Sequence, residues 1–196
     1  TYAMGERIVI AADLPGHPDR RFDDTWYVVR PAKGVVMDAA EFRAALPGAA
    51  AAVTLLTHKV DDALLALAPD LRLVANVAVG FDNVDVAAAT RRGVLVTNTP
   101  DVLTEATADL TWALLLGVAR EVVRNDHRLR AGDYEQWLPG LYLGADVHGR
   151  TLGVVGLGRI GRAVVRRAVG FGMTVLYHQP RRLDPQRERE LGVSWR

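Results

Sequence analysis

The sequence predicts an α/β protein with two units built on parallel sheets, and three observations carry that reading. Short β-rich apolar runs alternate with helix patterns through the first hundred residues; a long apolar helix follows; near residue 150 a strand, a glycine-rich turn and a helix succeed one another without a break. Strands that alternate with helices form parallel sheets covered on both faces.

The strand candidates of the first unit are residues 7–12, 26–30, 52–56, 72–77 and 94–97. Between them, Asp38 with Glu41 three positions on makes a capping box that opens a helix over 38–46, ended by Pro47-Gly48. Asp61 caps a second helix that stops by Pro69, and residues 85–92 read as a third, stopped by Gly93. The alanine run 49–52 is short and is given no weight. Thr104 then opens the longest helix, running to about Asn125. Ala108, Trp112, Leu115 and Ala119 form one stripe, and Leu114, Val118 and Val122 another. A helix apolar on all sides is expected to be buried on all sides. One small unit cannot cover both stripes, so a homodimer through this helix is expected. Residues 132–150, with Trp137, Pro139 and Tyr142, read as a connecting loop.

Residues 151–155 then read as a strand, 159–170 as a helix and 173–177 as a second strand, which makes a βαβ unit. Asp184-Pro185 starts a short helix that Gly192 stops, and a third strand is expected to begin only where the sequence ends. The expected division is 4–103 for the first unit and 104–196 for the second, an incomplete Rossmann-type domain carrying the helix 104–125.

Composition excludes several classes. At 196 residues with 49% hydrophobic and 24% charged side chains, the sequence is that of an ordinary globular protein. A formal charge of +1 with acids and bases interspersed gives no basic field for nucleic acid. The absence of Cys removes disulfides, thiolate metal sites and a cysteine nucleophile, and agrees with a reducing, cytoplasmic setting. The longest apolar runs are too short to cross a bilayer, so no membrane partner is expected. No secretory signal is read, and no metal site. Thr1-Tyr2-Ala3 ahead of Met4 reads as a remnant of an expression vector and is set aside.

The motif with chemical content is Gly156-Leu157-Gly158-Arg159-Ile160-Gly161, a G-x-G-x-x-G that follows an apolar strand and opens a helix. In that context Gly156 serves the tight turn, Gly158 the close approach of a pyrophosphate, and Gly161 the packing of helix on strand. The helix start adds free N–H groups and a positive dipole end. The fingerprint also expects a carboxylate about twenty residues on, for the ribose hydroxyls. Here the second strand ends instead in Tyr177-His178-Gln179-Pro180-Arg181-Arg182. A neutral end followed by two guanidiniums suits the 2′-phosphate of NADP better than a bare hydroxyl, with NAD still possible. Alternatively, Arg181 and Arg182 are solvated loop charges.

Three blocks together, residues 75–85 (Ala-Asn-Val-Ala-Val-Gly-Phe-Asp-Asn-Val-Asp), 96–104 (Val-Thr-Asn-Thr-Pro-Asp-Val-Leu-Thr) and 153–161, resemble the signature blocks of the D-isomer-specific 2-hydroxyacid dehydrogenases, and within them most resemble the glyoxylate and hydroxypyruvate reductases. The resemblance runs from about Arg72 onward. It implies a flavodoxin-like substrate (lid) domain ahead of a Rossmann NAD(P) domain, and hydride transfer between NAD(P)H and a small 2-oxo acid. It further implies that the loop Ala78-Val79-Gly80 presents N–H groups to the substrate carboxylate. Thr107 is implied to face the nicotinamide end of the cofactor; without the resemblance it reads as a helical Thr bonded to its own turn.

The family's catalytic Arg, Glu and His match positions later than Arg196, so the resemblance assigns no catalytic residue within these 196. His17, His58, His127, His148 and His178 are scattered, and none sits in a motif with a carboxylate. Two departures bear on substrate: phosphite dehydrogenases carry a Lys where this sequence has Val79, and glyoxylate reductases often have a Trp where it has Leu141, with Trp137 and Tyr142 nearby. Three alternatives follow: a non-enzymatic, cofactor-sensing binding protein of the same fold (co-repressor type), a phosphite dehydrogenase-like oxidoreductase, and a truncated dinucleotide binder.

Overall fold

A computed structural model describes residues 5–32 and 34–196, so the vector-remnant reading of Thr1-Tyr2-Ala3 falls outside the described residues. The chain divides into two compact units, Thr1–Pro100 and Asp101–Arg196.

The first unit is a parallel sheet of β1 (Glu6–Ile10), β2 (Trp26–Val29), β3 (Ala49–Leu55), β4 (Leu73–Val77) and β5 (Leu95–Thr97) in the order β2-β1-β3-β4-β5. This is the flavodoxin-type order, in which loops at the strand carboxyl ends form the binding edge. Helices α1 (Ala39–Ala45), α2 (Asp62–Leu65) and α3 (Val86–Arg91) connect the strands. Their starts are fixed locally. Asp38 accepts the N–H groups of Ala40 and Glu41 at 2.8 Å each, while Glu41 reaches back to the N–H of Asp38 at 2.9 Å. Asp61 and Asp85 cap α2 and α3. Burial of Phe42, Leu46, Leu64, Leu65, Val74 and Ala88 in one cluster holds the helices on the sheet.

One expectation is corrected here. β3 begins at Ala49, so the alanine run is the first half of a central strand, and Ala49, Ala51 and Ala52 are buried. Alanine carries little strand preference, so the run shows no sign of its role. Ala49 and Ala52 share a cluster with the larger Phe42 and Leu46, while Ala51 packs with Ile8 and Ile10.

The second unit comprises α4 (Thr104–Ala119), α5 (Val122–Ala131), β6 (Thr151–Val155), α6 (Arg159–Ala168), β7 (Thr174–His178), α7 (Pro185–Leu191) and β8 (Val193–Trp195). The strands pair in parallel as β6-β7-β8. A third strand therefore forms within the chain rather than beginning at its end. Val175, Leu176 and Tyr177 of β7 pair with Val193, Ser194 and Trp195.

The long helix is also corrected. It breaks after Ala119, because Glu121 takes a left-handed conformation (φ 53°) and the Ala119 carbonyl is captured by the N–H of Ala145 at 2.7 Å. Nor is it buried on all sides. Ala108 and Trp112 are buried, and Trp112 donates to the Val164 carbonyl (3.0 Å) and stacks on Phe171 at 4.5 Å. The other stripe stays open, with Leu114 61% and Val118 79% exposed. Ion pairs from Arg166 and Arg167 of α6 to Glu105 and Asp109 of α4 flank the packed stripe. Among the described residues no helix is long and apolar enough to cross a membrane.

Candidate functional site

Two loops at strand carboxyl ends, one in each unit, carry the candidate residues. In the second unit the fingerprint turn follows β6. Gly156 has φ 87°, open to glycine but strained for other residues, and its N–H donates to the His178 carbonyl at 2.8 Å, which ties the turn to the end of β7. A Cβ on Gly161 would collide with the Gly156 carbonyl oxygen, so helix and turn pack as closely as the motif predicts. A Cβ on Gly158 would meet nothing within 4 Å, leaving the approach to the α6 start open. Gly158 is the N-cap of α6 and brings no capping side chain. The first N–H groups of that helix are therefore available to an anion. The residues present fit a dinucleotide pyrophosphate.

The end of β7 holds the remaining candidates. Gln179 accepts from the Leu157 N–H (3.2 Å) and donates to the Arg181 carbonyl (2.6 Å), bridging the glycine turn to the loop. Arg162 closes the other side of the turn by donating to the Leu157 carbonyl at 3.0 Å. His178 contacts the Arg196 carbonyl through Nδ1 at 2.6 Å and lies against Trp195. Its role there is to join β7 to β8. The two arginines diverge. Arg182 forms a two-pronged pair with Glu188 (2.8 Å and 2.8 Å), whereas Arg181 is exposed and has no ion-pair partner among the described residues. Glu188 is buried and also accepts from the Tyr177 hydroxyl at 2.8 Å. The Arg182 guanidinium first, then Tyr177, holds its carboxyl down at about 2. Arg182 thus ties the β7 end to α7 through Glu188, whereas Arg181 stays open to solvent. Thr107 lies half-buried on α4. Its carbonyl accepts the Thr111 hydroxyl at 2.8 Å, and its own hydroxyl makes no hydrogen bond among the described residues.

In the first unit, Ala78, Val79 and Gly80 follow β4, and their carbonyls are all taken. Ala78 accepts from the Thr99 N–H (2.9 Å), Val79 from the Asn98 amide (2.8 Å), and Gly80 from the Asn76 amide (3.0 Å). Asn76 is fully buried, pairs reciprocally with Asn83 at 3.1 and 3.2 Å, and accepts the Thr54 hydroxyl at 3.0 Å. Asn83 also donates to the carbonyls of Leu55 and His58. A small pocket of about 150 Å³, lined by Phe81, Val86, Val96, Thr97 and Asn98, adjoins the loop. His58 is buried with Nε2 2.9 Å from the Met37 carbonyl, so it is a packing histidine.

The family model of the D-isomer specific 2-hydroxyacid dehydrogenase catalytic domain matches residues 19–175. The chain belongs to this family. It is 53% identical over 150 residues to the glyoxylate reductase of Thermococcus kodakarensis, covering 74% of this chain and 45% of that protein. It is 54% identical over 146 residues to that of Korarchaeum cryptofilum, covering 74% and 44%. The chain thus spans about 45% of the length of these curated relatives. Among solved structures, the TT0316 protein of Thermus thermophilus superposes with a TM-score of 0.84 at 40% identity, over 97% of this chain and 59% of that one. An NADPH-dependent glyoxylate/hydroxypyruvate reductase of Sinorhizobium meliloti, in complex with NADP and malonate, gives 0.76 at 34% identity, over 97% and 57%.

In this member of the 2-hydroxyacid dehydrogenases, the side chains that shape the loop 78–80 carry no local sequence motif. Asn76, Asn83 and Asn98 lay inside the quoted blocks without a role. The available signal was Asn76 itself, an amide in the middle of an apolar strand, which when buried needs partners for four hydrogen bonds.

Proposed function

We propose that this chain carries the cofactor-binding and carboxylate-binding parts of an NADPH-preferring reductase of glyoxylate, hydroxypyruvate or a similar small 2-oxo acid. In this reading residues 4–103 form the substrate (lid) domain and 104–196 the nucleotide domain of a cytoplasmic enzyme. When bound, the nicotinamide cofactor supplies the hydride. The α6 start and Gly156–Gly161 hold the pyrophosphate, Thr107 lies toward the nicotinamide, and the N–H groups of Ala78–Gly80 orient the substrate carboxylate.

The observation that carries the cofactor preference is the end of β7. Gln179 stands where an NAD-specific site places a carboxylate, and Arg181, with no ion-pair partner among the described residues, lies two residues on. A hydrogen bond to a charged group contributes about 1.5–3 kcal/mol, or roughly ten- to a hundredfold, less where solvent screens it. His178 and Arg182 contribute by holding this end in place. The NADPH dependence of the Sinorhizobium meliloti reductase supports the same reading. The test is kcat/KM for NADPH against NADH in the full-length enzyme, and in Gln179→Asp combined with Arg181→Ala. A parent that favours NADH would overturn the preference.

The open stripe of α4 supports a homodimer. Leu110, Leu114 and Val118 of α4, with Val122 and Val123 at the start of α5, are each more than half exposed, an apolar surface of the kind that marks an interface. Sedimentation at micromolar concentration is expected to give twice the chain mass, and Leu114→Glu with Val118→Glu to give the chain mass. A small oxo acid rather than phosphite is expected as substrate, since Val79 brings no charge to the loop. Phosphite-dependent reduction of NADP would overturn that.

A further inference from the structure

We infer that Asn98 and Asn76 are positioning residues that convert the loop 78–80 into a receptor for a monoanionic carboxylate by drawing its carbonyls inward. The inference rests on the reading of this loop as the carboxylate site and deepens it. In a trans peptide the C=O of one residue and the N–H of the next point in opposite directions, and no peptide bond here is cis. The Thr99 N–H holds the Ala78 carbonyl, which turns the Val79 N–H outward. By the same geometry, Asn98 holding Val79 frees the Gly80 N–H, and Asn76 holding Gly80 frees that of Phe81. None of these three N–H groups donates to an acceptor among the described residues. Three consecutive donors on one turn make an anion-binding concavity without a cationic side chain. The asparagines are suited to the task because each presents an NH₂ group to a carbonyl, which Asp cannot do.

The same geometry selects the charge of the ligand. The carboxylate of exposed Asp82 stands beside Gly80, 3.4 Å from where a Cβ would lie, and the loop holds no Lys or Arg between Asn76 and Asp85. A monoanion needs only the N–H donors, whereas a dianion would meet Asp82 with no cation to offset the repulsion.

The experiment follows backbone amide shifts of the ¹⁵N-labelled 196-residue chain titrated with oxamate, a monocarboxylate, and separately with phosphite. Oxamate is expected to move the Val79, Gly80 and Phe81 amides, and phosphite at equal concentration to leave them in place. Asn98→Asp places an oxygen against the Val79 carbonyl, and oxamate affinity is expected to fall by about ten- to a hundredfold. Asn98→Ala is expected to fall less, and Asn98→Gln to recover part of the loss. NADP binding, read by tryptophan fluorescence, is expected to remain at the parent value in all three variants. If the parent amides ignore oxamate, the carboxylate reading of the loop falls. If the parent responds and Asn98→Asp and Asn98→Ala bind equally well, the positioning role alone is overturned. If phosphite moves the same amides as strongly, the selection for a monoanion is overturned.

Discussion

The loops after β4 and β6 both present backbone N–H groups, and they are built by opposite means. Residues 156–161 owe their shape to missing side chains: a left-handed Gly156 and a Gly161 that must clear its carbonyl. Residues 78–80 owe theirs to side chains supplied from elsewhere, namely Asn76, Asn98 and, behind them, Asn83 and Thr54. A loop made by glycines is encoded locally and reads as a motif. A loop made by its neighbours is encoded in contacts, and truncating a neighbour is predicted to harm it more than changing the loop itself.

The largest effect is expected from Asn76→Ala. It leaves the buried Thr54 hydroxyl without its acceptor, and the Gly80 carbonyl and the Asn83 amide oxygen, both only partly buried, without their donor. Each orphaned group costs about 1–3 kcal/mol, so a total stability loss of roughly 2–4 kcal/mol is expected once partial relaxation is allowed. Urea denaturation of the chain measures it. A loss under about 1 kcal/mol would show that water or repacking replaces the asparagine.

Next in size is Gly161→Ala, which drives a methyl group into the Gly156 carbonyl and toward Val154. Overpacking of this kind costs about 1–3 kcal/mol, and relief requires α6 to move off the turn. NADP affinity, measured by fluorescence, is expected to fall more than tenfold, the mark of a donor array displaced from its ligand. Retained affinity would mean that the turn yields without moving its N–H groups.

The third prediction separates the two loops by pH. The amides around residues 76–83 are neutral, whereas the arm α7–β8 beside the second loop hangs on ionised Glu188. Its carboxyl is depressed to about 2 from an ordinary 4.5. A depressed carboxyl contributes stability that is present above the unfolded value and lost as pH falls through the folded one. That contribution is therefore full at pH 7 and lost between about 4.5 and 2. Glu188→Gln lacks it. The difference in urea midpoint between parent and variant is expected to be largest at neutral pH and to shrink on acidification. A constant difference would place the arm's stability in packing alone.

How much could be read from the sequence follows from the same division. Gly156–Gly161, the capping box of Asp38 and Glu41, and the strands around Val9 and Val154 announce themselves through local pattern, and they formed where local physics puts them. The alanine half of β3 did not, because its place is set by a packed layer of larger neighbours. The end of α4 did not either, since it depends on Ala145 returning from 26 residues downstream to take the Ala119 carbonyl. Likewise, adjacent Arg181 and Arg182 read as a pair, and only Glu188, brought over by α7, distinguishes them. The sequence names candidate site residues through local motifs, but the partners that fix their orientation come from contacts it does not display.

The smallest effect is expected from Gly80→Ala, and it tests the comparison most directly because Gly80 and Gly161 are both motif glycines. Gly161 has backbone in the way of a side chain. Gly80 does not: its φ is outside the left-handed region, and an added Cβ would stand 3.4 Å from the Asp82 carboxylate oxygen, an ordinary contact with a side chain that can turn toward solvent. Alanine at a compatible backbone position narrows the unfolded ensemble and can contribute about 0.4–1 kcal/mol. Stability is therefore expected to stay within about 1 kcal/mol of the parent, on either side of zero. Anion affinity is expected to stay within about threefold, because the carbonyls remain held by Thr99, Asn98 and Asn76 and the N–H groups keep their direction. A stability loss as large as that of Gly161→Ala would mean that the loop depends on glycine after all, and that the two loops are built by the same means.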